Sequence, residues 1–219
     1  MKIISINQSR VQSVEYNGEK IQTGIFKRPT NEDVFISVSG LSGDAQADLI
    51  NHGGADKAVY GFSNSEYAYW REALNLPSLS SGAFGENLTI ENLDEYATYI
   101  GERFQVGECI LEVSQPRVPC FKLGIALENV QAPKRFTQRY RTGVYFRVVQ
   151  EGAVTLGDRM EKLSSPEVLV SVGELFQAYF DKKYERSLYV LTSASHLRAL
   201  SEEWRQKIEL RLMSSIKEN

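Results

Sequence analysis

The chain has 219 residues, with 25 Lys and Arg against 28 Asp and Glu and a formal net charge of −3. That length suits one large domain with at most a small appendage, and 42% hydrophobic with 24% charged residues excludes the disordered, collagen-like and disulfide-dense classes. A slightly acidic balance provides no global basic field for non-specific binding to nucleic acid or an anionic membrane, so neither is expected as a partner, whereas a local basic pocket stays open.

The first residues carry apolar side chains at Ile3, Ile4 and Ile6 and then turn polar, which is a strand pattern. They lack the roughly 7 to 15 consecutive apolar residues of a secretory signal, and nowhere does the chain approach the roughly 20 that a spanning helix needs, so the expected location is the cytoplasm. Further short runs rich in β-branched and aromatic residues follow at Val34–Val38, Ala58–Phe62, Glu108–Val113 and Val144–Val149, with glycine turns between or beside them. They predict a mainly β unit over residues 1–163, with barrel and sandwich not distinguished by the pattern. One helix interrupts it: Ser63 and Glu66 have capping-box spacing, Tyr67, Trp70 and Leu74 share a helical face, and Pro77 ends the run. From Leu163-Ser164-Ser165-Pro166 onward glycine nearly disappears and the apolar period becomes helical. A second capping box, Ser171 with Glu174, precedes Leu175, Phe176 and Tyr179; Leu188 and Leu191 mark a middle segment, and Trp204, Ile208, Leu212 and Ile216 a last one. Residues 164–219 are therefore expected to form a small three-helix domain, which packs on the β unit or on a second copy of the chain because so few helices bury little surface alone.

Two segments carry candidate chemistry. His52-Gly53-Gly54 followed by Lys57 reads as an anion cradle, with glycines that admit a ligand close to the backbone and a cation nearby, or equally as a glycine turn into the next strand. The second is Gln115-Pro116-Arg117-Val118-Pro119-Cys120-Phe121-Lys122. Neither proline can continue a β-ladder, so Cys120 is expected on a rigid loop at a strand end, where Arg117 and Lys122 favour thiolate over thiol. Cys109, inside a strand, reads as a small buried hydrophobe. Zinc is disfavoured, because Cys109, Cys120, His52 and His196 show none of the paired spacings of zinc sites. Arg28 and Arg141 are further basic candidates, and Asn87, in the glycine-bracketed stretch 82–88, is a candidate for contacting a heterocycle or an Asx turn.

These blocks together resemble the MOSC family, the domain named after the carboxyl end of molybdenum cofactor sulfurases, in its stand-alone bacterial form with a trailing three-helix unit. The resemblance runs through Gly40–Asp48, His52–Tyr60, Gly82–Thr89, Leu111–Arg117 with Pro119-Cys120, Arg141–Tyr145 and Leu200–Arg205. It implies a mainly β fold with α elements, a MOSC-type β-barrel with helical insertions, and a pocket for the molybdenum cofactor, molybdopterin with its metal. In similar proteins that reduce N-hydroxylated compounds, the cysteine equivalent to Cys120 is a thiolate ligand of molybdenum. The resemblance thus implies Cys120 as metal ligand, Cys120 and His52 at the reacting centre, and Arg28, His52, Gly53, Gly54, Lys57, Asn87, Arg117 and Arg141 around the cofactor. It also implies a small-molecule substrate such as a hydroxylaminopurine-like base and an electron-donor reductase protein as partner, and dimerisation through the helical unit is an open expectation. A different class of function uses the same thiol: a sulfur or cofactor carrier with a persulfide on Cys120 and no turnover. A thiol hydrolase pairing Cys120 with His52 is a third reading, weakened by the absence of an orienting third group.

Overall fold

The computed structural model describes residues 1–47 and 53–217, the last three of these by their backbone only. Strand β1 (Lys2–Gln8) buries Ile3 and Ile6, and a register shift between Ile3 and Ser5 lets it pair on different terms along its length. Its second half runs antiparallel to β4 (Arg28–Thr30), while its other edge pairs with β8 (Leu88–Glu91). From β8 the main sheet continues through β7 (Val59–Ser63), β11 (Val144–Gln150), β10 (Cys109–Pro116), β9 (Arg103–Val106) and β13 (Met160–Ser164). The sheet curls back on itself. Lys2 forms an isolated antiparallel bridge with Arg159, and Met160 N donates to Met1 O at 3.1 Å. The sheet is therefore not the closed barrel that was expected: its two ends meet at a bridge and not along a continuous ladder, because β1 divides one edge between β4 and the chain entering β13. A small sheet of β5 (Val34–Ser37), β6 (Gly40–Leu41) and β12 (Gly152–Val154), and a separate hairpin of β2 (Gln12–Tyr16) and β3 (Glu19–Thr23), complete the β structure among the described residues.

β7 and β8 are parallel, so the chain between them must cross over, and it does so through α1 (Glu66–Ala73). The expected capping box at its start does not form. Ser63 is the last, fully buried residue of β7, and its hydroxyl donates to Leu93 O at 2.7 Å, while Glu66 instead accepts from Arg139 Nε at 3.0 Å. At α4 (Val172–Phe180) the capping serine behaves as expected, with Glu174 N donating to Ser171 Oγ at 3.2 Å. Two short helices that periodicity did not announce, α2 (Phe121–Ala126) and α3 (Ala132–Arg139), follow β10.

Apolar packing falls into two bodies. One fills the sheet interior with residues such as Ile6, Val113 and Phe146 and runs on to Phe176, Leu191, Trp204 and Ile208 of α4, α5 (Ser187–Ser195) and α6 (Glu202–Lys217). The other is aromatic and lies outside the sheet, where Tyr60 and Phe62 of β7 meet Trp70, Phe84 and Phe136; the Trp70 and Phe136 rings stack at 3.9 Å. Strand β7 is buried on both faces as a result, one toward each body. No helix among the described residues is long and apolar enough to cross a membrane.

Candidate functional site

Beside the aromatic body lies a cavity of about 100 Å³ between β7, the chain after β10 and the loop that closes before β8. Its wall brings together Lys57, Asn87, Arg117, Cys120 and Lys122, residues up to 65 positions apart in sequence. Cys120 is partly buried in extended backbone (φ −122°, ψ 175°) at the start of α2, four residues beyond the end of β10, as the proline spacing predicts. The backbone there is fixed at both ends: Arg117 N donates to Gly143 O at 3.3 Å and Leu123 N to Cys120 O at 3.0 Å.

Arg117 is 5% exposed, its guanidinium carbon lies 5.3 Å from the Tyr60 ring centroid, and its Nη1 has no hydrogen-bond partner among the described residues. A buried guanidinium nitrogen without an acceptor is costly, so an anionic occupant of the cavity would relieve it. Tyr145 joins the same wall. Burial pushes its phenol up from the ordinary tyrosine range, Arg117 acts against that rise, and the Cys120 sulfur adds to it, which places the thiol, the guanidinium and the phenol within one electrostatic neighbourhood.

Lys57 is 6% exposed and pairs with Glu203, the second residue of α6, so the last helix reaches the cavity wall from the far end of the chain. Asp56, next to it, turns outward and accepts from Arg147 Nε at 2.8 Å, so it orients a surface arginine rather than a cavity cation.

The early basic residue at the cavity is Lys27, not Arg28. Arg28 is exposed on β4, whereas Lys27 Nζ lies 2.5 Å from both carboxylate oxygens of Asp44, with both side chains under a tenth exposed. Neighbouring residues of an extended segment point to opposite sides, so only one of the two can enter. Burial lowers the Lys27 ammonium from its ordinary range, and Asp44 opposes that shift. Asn87 is engaged on both sides of its amide: Oδ1 accepts from Tyr60 N at 3.0 Å and Nδ2 donates to Asp44 Oδ2 at 2.9 Å. It thus ties Asp44, and through it Lys27, to β7. The glycines of 82–88 serve this packing. At Gly82 (φ +88°) a Cβ would stand 2.7 Å from Lys27 O, so only glycine lets the loop approach the Lys27 backbone. Glu86, which sequence reasoning did not single out, holds the loop by accepting from Gly82 N at 2.8 Å and Thr89 Oγ1 at 2.8 Å, as well as from Tyr67.

Arg141 is not among the cavity-lining residues. Its guanidinium is shared among Asp94 at 2.8 Å, Glu95 at 3.3 Å and Glu66 at 3.9 Å. Gly54 (φ +93°) leads into a short helical turn over Ala55–Lys57 that delivers Lys57 to the wall, with Lys57 N donating to Gly54 O at 3.0 Å, and Gly53 precedes it. His52, expected at the reacting centre, lies outside the described residues.

A profile of the MOSC domain matches residues 48–161, the span that holds Lys57, Asn87, Arg117 and Cys120. The chain belongs to the MOSC family. This MOSC protein is 42% identical over 204 residues to YflK of Bacillus subtilis (strain 168), covering 93% of this chain and 90% of that one. It is 34% identical over 168 residues to a protein of Gibberella moniliformis (strain M3125 / FGSC 7600) named "Reductase", covering 75% of this chain but only 29% of that longer one. Among solved structures, YiiM from Geobacillus stearothermophilus superposes with a TM-score of 0.80 at 27% identity, covering 96% of this chain and 98% of the other. That superposition includes the C-terminal helices, which lie beyond the matched MOSC span.

Proposed function

We propose that this MOSC protein binds the molybdenum cofactor and reduces N-hydroxylated compounds, with Cys120 as the thiolate ligand of molybdenum. The observation that carries the reading is the meeting of the Cys120 thiol with a buried Arg117 Nη1 lacking a partner among the described residues, in a cavity also walled by Lys27, Lys57 and Lys122. This donor set fits such a group: one soft sulfur suits a metal held by a single protein thiolate, and a cationic wall with an unsatisfied guanidinium suits an organic phosphate. The family membership and a reductase-named relative support the same direction.

When bound, the cofactor supplies two-electron reduction of an N–O bond. The overall change is R–NHOH + 2e⁻ + 2H⁺ → R–NH₂ + H₂O, in which the N–O bond breaks and nitrogen is reduced. The electrons come from an external electron-donor reductase protein, and the oxygen leaves as water. Within the chain, Arg117, Lys57 and Lys122 hold the phosphate. Cys120 would hold the metal through its sulfur at the cavity wall. Lys27 holds a proton at Nζ at the cavity wall, where Asp44 and Asn87 fix its position, and its burial makes it the better acid. Natural substrates of the hydroxylaminopurine type match this chemistry.

Molybdenum and released pterin are to be measured in wild type and Cys120→Ser purified from a host that makes the cofactor, alongside consumption of N-hydroxylated substrates with a chemical reductant. Near-stoichiometric metal and pterin in wild type, with the metal lost or its spectrum changed in the variant, is the expected result. Absence of both from wild type rejects the proposal. Metal and pterin without reduction of any N-hydroxylated compound point instead to a carrier.

A further inference from the structure

The β2–β3 hairpin pairs with no other strand among the described residues. Its tip turns through Asn17 and Gly18 at φ 52° and 80°, the positive pair that a tight two-residue hairpin requires. Its base lies at the cavity: Thr23, Gly24 and Ile25 are part of the wall. At the tip, Tyr16 stacks on Phe121 with ring centroids 5.7 Å apart and planes 29° from parallel. Phe121 sits between Cys120 and Lys122, both of which line the cavity, yet the residue itself is 45% exposed. The hairpin therefore reaches from one wall of the cavity to the rim beside the thiol, where two rings meet.

This rim differs from the cavity in chemistry. The interior offers cations and an Arg117 Nη1 with no partner among the described residues, which suits anionic or strongly polar atoms. The rim offers apolar π-faces, one of them half open to solvent, on an arm whose strands form no ladder with the main sheet. A large exposed aromatic side chain beside a reactive thiol suits recognition of a flat ring, because stacking uses the π-face and the apolar surface together.

We propose that Tyr16 and Phe121 determine substrate specificity at this site, receiving the flat unsaturated ring of a substrate whose N-hydroxyl group points toward Cys120, so that planar aromatic compounds are selected over saturated ones. The inference rests on the reading of Cys120 as the reacting centre. Neither residue takes part in electron or proton transfer; both act by holding the ring.

The test is equilibrium binding by calorimetry, without reductant, of benzamidoxime and cyclohexanecarboxamidoxime, which carry the same amidoxime on a flat and on a puckered ring. Cofactor-loaded wild type, Phe121→Leu, Tyr16→Leu and Phe121→Trp are compared at matched molybdenum content and matching circular dichroism. Wild type is expected to favour the flat ligand by about tenfold, the order of a single aromatic stacking contact. Each leucine variant should lose that preference with affinity for the puckered ligand unchanged, and Phe121→Trp should keep it. The proposal is overturned if wild type shows no preference, if the leucine variants retain it, or if they weaken both ligands equally. Turnover is read separately. A ring preference that depends on Tyr16 and Phe121 without any N–O reduction upholds the rim and rejects the reductase reading, while reduction without ring preference rejects the rim alone.

Discussion

Cys109 and Cys120 show how environment, not residue type, sets chemistry. Cys109 is fully buried in β10 and burial pushes its thiol up to about 12, so at neutral pH it is neither nucleophile nor ligand. Cys120 is partly exposed at a cavity wall that also holds Arg117 and Lys122. Iodoacetamide at pH 8 is expected to label Cys120 in the cofactor-free protein and leave Cys109 unmodified, as read by peptide mass spectrometry; labelling of Cys109 in the folded protein would contradict the burial argument. Glu95 makes a second case. Fully buried beside Arg141 and accepting from Gly143 N at 3.1 Å, it is pushed up to about 7, chiefly by burial and against the pull of Arg141. Because the folded value lies above the ordinary 4.5, the unfolded chain gives up its proton first. Folding is thus progressively disfavoured as pH rises from 4.5 to about 7, and the effect is constant above that. Glu95→Gln keeps an acceptor for Gly143 N and removes the titration. Its melting temperature should fall less than that of wild type across that interval, and parallel curves would assign the wild-type slope to other groups, such as buried Glu86, whose value is also raised.

At the scale of elements, the site depends on how closely strands and loops approach. Gly143, between the Arg141 cluster and β11, has φ +87°, and a Cβ there would lie 2.6 Å from both Gly61 O and the Tyr60 ring. Its carbonyl accepts from Arg117 N and its amide donates to Glu95. Gly143→Ala would therefore strain the backbone and push on β7 and on the cavity wall at once. A loss of about 1 to 3 kcal/mol, the usual range for overpacking, is expected in urea unfolding, together with weaker retention of the proposed cofactor. Retained stability with unchanged cofactor content would mean that the strands can separate without cost. The elements that the sequence pattern missed share one cause. The helices α2 and α3 span only six and eight residues, and Leu123 and Phe136 settle in the aromatic body with Tyr60, Phe84 and Trp70, so their stability is tertiary rather than periodic. The hairpin was missed for a different reason: its strands are mostly exposed and so stand outside the apolar runs, although Asn17-Gly18, a strong short-range hairpin dipeptide, could have found it.

For the molecule as a whole, the C-terminal helices are part of what builds the cavity. Phe176, Trp204 and Ile208 belong to the same apolar body as the sheet interior, Ser201 N donates to Ser114 O at 3.1 Å, and Glu203 pairs with Lys57. A chain ending at residue 165 is expected to lose cooperative urea unfolding and to bind a hydrophobic dye, since the sheet would expose the apolar surface those helices cover. A truncated chain with a sharp transition and no dye binding would show that the sheet stands alone.

The strand-rich character, the helical change of period after residue 163, the family and the position of Cys120 at a strand end were legible along the chain, because each is written in local spacing or in short ordered blocks. Which cations reach the cavity follows from packing across the fold. Lys27 enters while Arg28 turns to solvent, Arg141 is taken up by three carboxylates, Asn87 braces Asp44, and Glu203 arrives from the far end of the chain. The physical reason is that the force between charges depends on their separation and burial, and neither is a function of distance along the chain.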